Sequence, residues 1–514
     1  MHVALARVAI AAPVLAWLGW RFLRFTQHAM QSIQYPFGLE YGEGIVWQQA
    51  LLIPGPRMYG DINHFPFIVY NYPPLYHVAV RALAATGLDM LVAGRSISLL
   101  STIVIGLVCA RLAHRATPES LQRPARLAGA TMAGLSVFSC VPVIQWSALM
   151  RVDMLAVALS FGGLWLIITS IERPSHLYLG LLFFLLAIFT KQTSIAAPLA
   201  SLTVLLAVNR RRTIIACSVI SLVGLAILLL LEVYTEEGFL RHIVLYNVSS
   251  YRFSALLSGI EAEWPETLLL LVTIAGVFVG WRSLARERCW PNLESFGRDV
   301  AASITTRTLS IVSAHLFITS LMIPMLGKAG AGSNYLIEAM CVWSIFVGIF
   351  VAWVLDRLRD HPSPETFGVR GNTSLNILLM GILIIQMALM PVSIGALNSV
   401  TPKQIAELDS LRLKMADSTK PVLSEDMVLV LRAGKEVSLE PYIFAELARQ
   451  GLWNQRLLVD RINSHDFSMI VTIGSRGTFP HDARYTPEVD SAIEAAYPKS
   501  ERVAGYIIHR PNST

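Results

Sequence analysis

Two carboxylates stand close together in the stretch LEYGEGIVWQQ, residues 39–49. Glu40 and Glu43 are three residues apart, and a glycine flanks Glu43 on each side. A carboxylate in apolar and aromatic surroundings can act as a general base toward a hydroxyl group. The glycines allow a tight turn or the close approach of a ligand. Both glutamates are therefore candidate catalytic residues, and the alternative for each is an ordinary solvated loop acid.

Further ionisable residues stand at the ends of later apolar segments. RVDMLA contributes Arg151 and Asp153, and FTKQTS contributes Lys191. An ionisable side chain at membrane depth costs roughly 2.5–3.5 kcal/mol on insertion scales, so it usually lines a water-filled cavity or pairs with a partner. Lysine and arginine bind phosphate, arginine in bidentate fashion. The remaining candidate substrate-binding residues are Tyr72, Arg241, His242, Arg252, Asn334 and Glu338.

These candidates also have structural alternatives. Arg151 and Asp153 fit an ion pair that caps a helix, and Lys191 fits a cation that reaches the membrane interface. Glu338 fits a pair with a neighbouring helix. His315, alone inside an apolar segment, is predicted to be a hydrogen-bonded packing residue rather than a metal ligand.

The elements that must hold these residues are membrane-spanning helices. The chain has 514 residues, of which 54% are hydrophobic and 15% charged, whereas an average soluble domain has about 25% charged residues. Apolar runs of about twenty residues, enough to cross about 30 Å of hydrocarbon, recur from residue 3 to residue 396. The predicted fold class is an all-α polytopic membrane protein with about eleven transmembrane helices. The predicted spans are 3–23, 91–110, 127–146, 152–171, 177–190, 194–208, 213–233, 265–281, 308–327, 334–355 and 375–396.

Residues 400–514 break this pattern and predict a small, water-soluble α/β domain. Strands are predicted at 427–434, 467–474 and 503–510, and helices at 402–416, 440–450 and 486–496. A long first outer loop, residues 24–90, is predicted to contain an interfacial amphipathic helix at 73–87 rather than a further span.

Arginine-rich connections give the predicted orientation. The connections 111–126, 209–212, 282–307 and 356–370 are assigned to the cytoplasm by the positive-inside rule. The first loop, the candidate residues and the C-terminal domain then lie outside the cytoplasmic membrane. The net charge of +6 thus reflects membrane topology and does not indicate a nucleic-acid partner.

Four short motifs, taken in order, resemble one group of membrane enzymes. They are an acidic residue in a long first outer loop, the segment YNYPPLYH, the Arg-x-Asp of RVDMLA and the lysine of FTKQT. In this order the chain resembles the polyprenyl-phosphate-dependent glycosyltransferases of the GT-C fold. Among these it most resembles the broad group that contains bacterial aminoarabinose lipid A transferases and protein O-mannosyltransferases. The resemblance covers residues 1–396 and is clearest over 35–195.

The resemblance implies a lipid-linked sugar donor and transfer of the sugar, usually with inversion, to a lipid, glycan or protein acceptor outside the membrane. It makes Glu43 the general base and leaves Glu40 as an alternative. By the same mapping Asp153 supports the site or the acceptor, and Lys191 binds the donor phosphate. Arg252 and Arg241 are further candidates for the phosphate. A divalent metal that bridges carboxylate and phosphate stays open as a cofactor, because no His/Asp cluster has ligand spacing that would fix one.

Two other classes of protein fit the same buried charges. A transporter or lipid flippase would use them as a substrate pathway, and such proteins commonly show two related halves. No internal repeat of this kind is visible, and the charges collect at one predicted face. A non-catalytic polyprenyl-lipid-binding protein of the cell envelope is the third hypothesis.

Overall fold

Helices occupy most of the chain before its C-terminal segment. The computed structural model describes residues 2–247, 249–262, 267–357, 381 and 400–512. Helices α1 to α16 are His2–Gln34, Gly42–Leu52, Leu75–Ala84, Met90–Ala116, Arg123–Val137, Val141–Trp146, Asp153–Thr169, Ser175–Thr190, Ala196–Val208, Arg210–Tyr234, Gly238–Leu240, Phe253–Ala262, Thr267–Glu287, Leu293–Ala302, Ile304–Met322 and Ile337–Arg357. Short π- and 3₁₀-helical turns cover Arg241–Leu245, Ile323–Gly327 and Ser333–Leu336.

Five of the described helical segments are long and apolar enough to cross a membrane. They are Met90–Ala116, Arg210–Tyr234, Leu269–Glu287, Ile304–Gly327 and Ser333–Arg357. Helices α7, α8 and α9 are also apolar but have only 13–17 residues. The predicted membrane fold is confirmed, while the number of eleven spans stays a prediction. The predicted span 375–396 lies outside the described residues.

The structure differs from the predicted spans at two places. Helix α1 continues to Gln34, beyond the predicted end at residue 23. The predicted span 127–146 is divided into α5 and α6, and Pro142 stands in the first turn of α6, where a proline fits because its missing N–H has no intrahelical partner. Helix α3 has ten residues, which is too short to cross and agrees with the predicted interfacial helix.

The C-terminal segment, residues 400–512, combines six helices with a small sheet among the described residues. Helices α17 to α22 are Pro402–Ala416, Met427–Arg432, Pro441–Arg449, Arg456–Asn463, Phe479–Arg484 and Pro487–Ala496. Strands β1 to β4 are Val422–Ser424, Met469–Thr472, Lys499–Val503 and Tyr506–Arg510. The strand order is β1-β2-β4-β3, with β1 parallel to β2 and the other pairs antiparallel.

The predicted strand at 427–434 is wrong. These residues form α18, and the strand lies earlier, at β1. The run MVLVL is buried, so its apolar pattern alone does not separate a buried strand from a buried helix. Asp426 decides for the helix, because its side chain accepts a hydrogen bond from the N–H of Leu429 at 2.9 Å and caps the first turn.

The C-terminal segment packs against the first loop, here residues 35–89. Phe67 and Val69 of the loop are buried in one cluster with Phe444 and Trp453. The Phe67 N–H also donates to the Ser438 carbonyl at 2.9 Å. A second cluster joins Phe37 to apolar residues of α17, α18 and the sheet. The first loop therefore contributes to the apolar core of the C-terminal segment and is fixed by it.

Candidate active site

A cavity of about 520 Å³ lies where the first loop, the end of α8 and the C-terminal segment meet. Four of the predicted site residues line it: Glu40, Tyr72, Arg151 and Lys191. The first and last of them, Glu40 and Lys191, are more than 100 residues apart in the chain, and the fold brings them together. The cavity therefore combines a carboxylate with two cations in one space.

Charges of alternating sign form a chain of contacts along this wall. Arg151 Nη1 donates to Glu40 Oε2 at 3.1 Å, and Arg151 Nε lies 3.9 Å from Asp153 Oδ2. Lys191 Nζ donates to Asp153 Oδ1 at 2.6 Å, and Asn334 Nδ2 donates to the same oxygen at 2.8 Å. Asp153 is 1% exposed, so it supports Lys191 from behind the cavity wall.

Tyrosine side chains hold the two cations at this wall. Arg151 Nη2 donates to the Tyr72 hydroxyl at 3.1 Å. Lys191 Nζ lies 4.9 Å from the centre of the Tyr335 ring, within the range of a cation–π interaction. Both tyrosines also line the cavity.

Glu40 keeps partial access to the cavity. Its side chain is 31% exposed, and its Oε2 accepts hydrogen bonds from the Gly42 N–H at 2.8 Å and from Arg151. These contacts involve one of its two carboxylate oxygens. Glu40 is thus held in place by hydrogen bonds and is accessible from the cavity.

Glu43, three residues later, is enclosed. Its side chain is fully buried and receives Arg95 in bidentate geometry, with Nε to Oε1 at 2.8 Å and Nη2 to Oε2 at 2.7 Å. The N–H groups of Leu39 and Met150 donate to it at 2.8 and 2.9 Å. This arrangement makes Glu43 a structural anchor between the first loop, α4 and the loop before α7.

The glycines on either side of Glu43 make room for neighbouring groups of the protein. A Cβ atom on Gly42 would overlap the Arg151 guanidinium, and one on Gly44 would lie 2.8 Å from the backbone nitrogen of Val428. The glycines were predicted to allow a ligand to approach closely. At these two positions Arg151 and α18 occupy that space instead.

The C-terminal segment supplies a second wall of the cavity. Glu440, Tyr442 and Arg484 line it. Arg484 lies over the ring of Tyr41, with Cζ at 4.3 Å from the ring centre, and forms an ion pair with Glu425. Burial raises the pKa of Glu440 to about 7. Its carboxylate accepts hydrogen bonds from the N–H groups of Tyr442 and Ile443 at the start of α19.

A larger cavity of about 1060 Å³ adjoins the first. The two share the loop 328–331 together with Tyr442, Glu446 and Arg484. Arg252, one of the predicted phosphate ligands, lines this second cavity. Lys328 borders both cavities, and burial lowers its pKa. Its Nζ donates to the Asn247 carbonyl at 2.8 Å.

Six predicted site residues lie in the lining of neither cavity. Glu43, Asp153 and Asn334 stand behind the first cavity in the contacts given above, and the other three are Arg241, His242 and Glu338. Arg241 is exposed and pairs with Glu237 at 2.9 Å. The Nδ1 of His242 accepts from the Tyr70 N–H at 3.0 Å, so its Nε2 donates to the Gly60 carbonyl at 2.7 Å. Burial lowers the pKa of this histidine to about 4, and the neutral ring fixes the first loop. Glu338 Oε1 lies 2.7 Å from His315 Nε2, a contact that fits the separate packing alternatives given for these two residues.

Sequence reasoning missed Arg95, Lys328, Glu440 and Arg484. Arg95 lies inside the predicted span 91–110, so the cost of a charge at membrane depth was a usable signal. Glu440 and Arg484 lack such a signal, because charged residues are ordinary in a segment that is read as water-soluble. Within the described residues, no group of three or more His, Cys, Asp or Glu side chains is arranged to hold a metal ion.

Fold and site together define a multi-pass, mostly helical membrane protein with a GT-C-like fold and a small C-terminal sheet. Two crystal structures of ArnT from Cupriavidus metallidurans share this fold. The apo structure has 13% sequence identity and a TM-score of 0.54 and covers 96% of this chain and 97% of that chain. The structure bound to undecaprenyl phosphate has 13% identity and a TM-score of 0.53, with coverage of 97% and 98%. No family model and no curated protein matches the chain.

Proposed function

We propose that the protein is a membrane glycosyltransferase that moves a sugar from a polyprenyl-phosphate donor to an acceptor hydroxyl. The observation that carries this proposal is the cavity in which a reachable carboxylate, Glu40, and a tyrosine-supported ammonium, Lys191, occur together. The GT-C-like fold supports the same class of reaction. The undecaprenyl phosphate bound by one ArnT structure supports a polyprenyl lipid as the donor carrier.

In the proposed reaction the acceptor oxygen attacks the anomeric carbon of the donor sugar. Glu40 accepts the hydroxyl proton, the bond between the anomeric carbon and the phosphate oxygen breaks, and the polyprenyl phosphate departs with the bonding electrons. General-base help of this kind typically contributes about 10²–10⁴-fold to the rate. Inversion at the anomeric carbon follows from a single displacement of this type.

We assign the departing phosphate to Lys191, with Arg151 beside it. A cation at this place stabilises the negative charge that develops on the leaving group. Asp153 and Asn334 hold Lys191 in position, and Tyr72 holds Arg151. Arg252 is assigned to the neighbouring cavity and therefore to a more distant part of a substrate.

Glu40 replaces Glu43 as the proposed base. Glu43 accepts four hydrogen bonds and is fully buried, so an acceptor hydroxyl has no free approach to it. We propose further that the protein lies in the cytoplasmic membrane and that the cavity and residues 400–514 are on the extracytoplasmic side.

The test is sugar transfer in membranes that contain wild type, Glu40→Gln or Asp61→Asn at equal protein levels, with a panel of radiolabelled polyprenyl-phosphate sugars. Asp61 is a matched control because it is an exposed acid of the same loop. We expect Glu40→Gln to lose about 100-fold or more in rate with donor binding retained, and Asp61→Asn to stay active. Full activity of Glu40→Gln would remove it from the role of base. A wild-type protein that binds a donor and transfers nothing would favour the transporter or the lipid-binding hypothesis.

A further inference from the structure

A basic cavity lies at the opposite end of the helical bundle from the candidate active site. Its volume is about 370 Å³, and its lining includes Arg111, Arg115, Arg126 and Trp165. Arg111 is sixteen residues beyond Arg95 on α4, which corresponds to about 24 Å along the helix. Arg95 marks the level of the first cavity, because it binds Glu43, the neighbour of the lining residue Gly42. Because the hydrocarbon core is about 30 Å thick, the two cavities lie near opposite surfaces of the membrane.

The arginines of this cavity lack acidic partners within the described part of the chain. Glu119 also lines the cavity but is exposed, and it forms no ion pair with Arg111, Arg115 or Arg126 there. Arg111 and Arg115 each place Cζ at 5.9 Å from the centre of the Trp165 ring. The Nε of Arg126 is buried and makes no hydrogen bond among the described residues. Three cations thus border one space, and no described acidic side chain forms an ion pair with any of them.

An exposed apolar stripe on α4 leads to this cavity. Leu100, Val104 and Leu107 are 61%, 45% and 63% exposed. Their spacing, continued to Arg111, puts all four residues on one helix face. Leu127 at the start of α5 is also exposed, at 48%. A ligand with a negative head and an apolar tail matches this surface, since the head meets the arginines while the tail follows the stripe.

We propose that the cavity between α4, α5, α7 and α15 binds the phosphate headgroup of an anionic phospholipid. Basic pockets between membrane helices bind such headgroups. The apolar stripe favours a lipid over a free anion. This site is separate from the proposed transfer reaction, so its test does not depend on sugar transfer.

The test measures the affinity of the purified full-length protein for three probes: dioctanoyl phosphatidylglycerol, dioctanoyl phosphatidylcholine and inorganic phosphate. Binding is followed by the thermal unfolding midpoint, because a ligand that binds the folded state raises it. We expect saturable stabilisation by phosphatidylglycerol, at least tenfold weaker binding of phosphatidylcholine, and no effect of phosphate at the same concentrations. Equal binding of both lipids, or equal binding of phosphate and phosphatidylglycerol, would overturn the proposal without any variant.

A charge-matched pair of variants locates the site. The variant Arg111→Gln/Arg115→Gln/Arg126→Gln removes the three cations, and Arg210→Gln/Arg211→Gln/Arg286→Gln removes three cations from helix ends at the same side of the bundle. Each cation near an anionic surface adds about fivefold in affinity, so three independent ones contribute on the order of 100-fold. We expect the first variant to lose phosphatidylglycerol binding on this scale and the second to keep it within about fivefold. Equal loss in both variants would show that binding depends on general surface charge, and it would overturn the proposed site.

Discussion

At the scale of single residues, two neighbouring glutamates have different surroundings, so their substitution should affect different properties of the protein. Glu40 lines a cavity, whereas Glu43 is fully buried against Arg95. Residue type and spacing did not separate them, because both fit a first-loop acid. Their partners, Arg151 and Arg95, lie 111 and 52 residues away in the sequence, so only the folded chain distinguishes the accessible glutamate from the enclosed one.

The first prediction concerns the buried pair. Arg95 also donates to the carbonyls of Ser32, Tyr35 and Phe37, so the pair joins three chain segments. Glu43→Gln leaves the guanidinium buried without a countercharge, which typically costs about 3–5 kcal/mol. We expect a clear fall in the thermal unfolding midpoint and in the yield of folded protein.

Glu40→Gln is the matched control for this measurement, since it removes the same charge from a partly exposed site. It should lower activity and leave the midpoint nearly unchanged. The opposite pattern, a stable Glu43→Gln protein that has lost transfer, would return the role of base to Glu43.

At the scale of elements, the contact between α2 and α18 depends on Gly44. A methyl group there would lie 2.5 Å from Met427 Cβ and 2.8 Å from the backbone nitrogen of Val428. Backbone cannot move aside as a side chain can, so Gly44→Ala should destabilise the protein by about 1–3 kcal/mol. Gly19→Ala in α1 is the control, because its new methyl group meets open space. Limited proteolysis of the C-terminal segment should speed up in Gly44→Ala and not in the control.

The start of α19 should give the protein a pH-dependent stability. Glu440 caps this helix, and burial raises its pKa from 4.5 to about 7. The folded state therefore holds a proton that the unfolded state releases between these values. Its contribution to stability is present below about pH 4.5 and is lost as pH rises toward 7. Glu440→Gln resembles the protonated form and does not titrate. Its unfolding midpoint should therefore rise relative to that of wild type as the pH increases from 5 to 7.5.

Glu446→Gln, in the same helix, is the control for this pH series. Although burial opposes it, the hydrogen bond from the Ser250 N–H lowers the pKa of Glu446. Its contribution is then lost only as pH falls below about 4.5, and its difference from wild type should stay flat from pH 5 to 7.5. A flat difference for Glu440→Gln as well would contradict a raised pKa at this helix start.

The elements that could be predicted from sequence are those whose residue pattern fits only one type of secondary structure. Helix α17 begins and ends as its helical periodicity predicts, at 402–416, and a capping box of Thr401 and Gln404 fixes its start. The run at 427–434 could not be assigned, since full burial removes the difference between helical and strand periodicity. Likewise, Phe138–Cys140 interrupts an apolar run that reads as one span. Hydropathy shows that a run of residues lies in apolar surroundings, but it does not show where one helix within the run ends and the next begins.

At the scale of the whole molecule, the cavity belongs to no single part of the chain. Its walls come from the first loop, the helical bundle and the C-terminal segment, and the first loop shares two apolar clusters with that segment. Residues 400–512 therefore complete both the core of the loop and the wall of the site. Exchange of this segment with that of a relative should change acceptor preference only where its wall residues, such as Tyr442 and Arg484, differ.

The last prediction concerns the orientation of the molecule in the membrane. Cys289 is an exposed free cysteine in the arginine-rich connection between α13 and α14, at the end of the bundle away from the candidate site. The positive-inside rule puts this connection in the cytoplasm. A membrane-impermeant maleimide should therefore label Cys289 in inverted vesicles and leave it unlabelled in intact spheroplasts. Cys109, Cys140 and Cys341 are buried and should not react in either preparation.

Asp61→Cys in a Cys289→Ser background supplies the reciprocal control. Asp61 is an exposed residue of the first loop, with a side chain that is 51% accessible, and it lies on the side of the candidate active site. Its cysteine should react in spheroplasts, with the reactivity lost when the vesicles are inverted and sealed. Labelling of Cys289 from outside, together with protection of the cysteine at position 61, would show that the orientation in the membrane is the reverse of the predicted one. The cavity would then open to the cytoplasm, and a donor presented at the outer surface could not reach it.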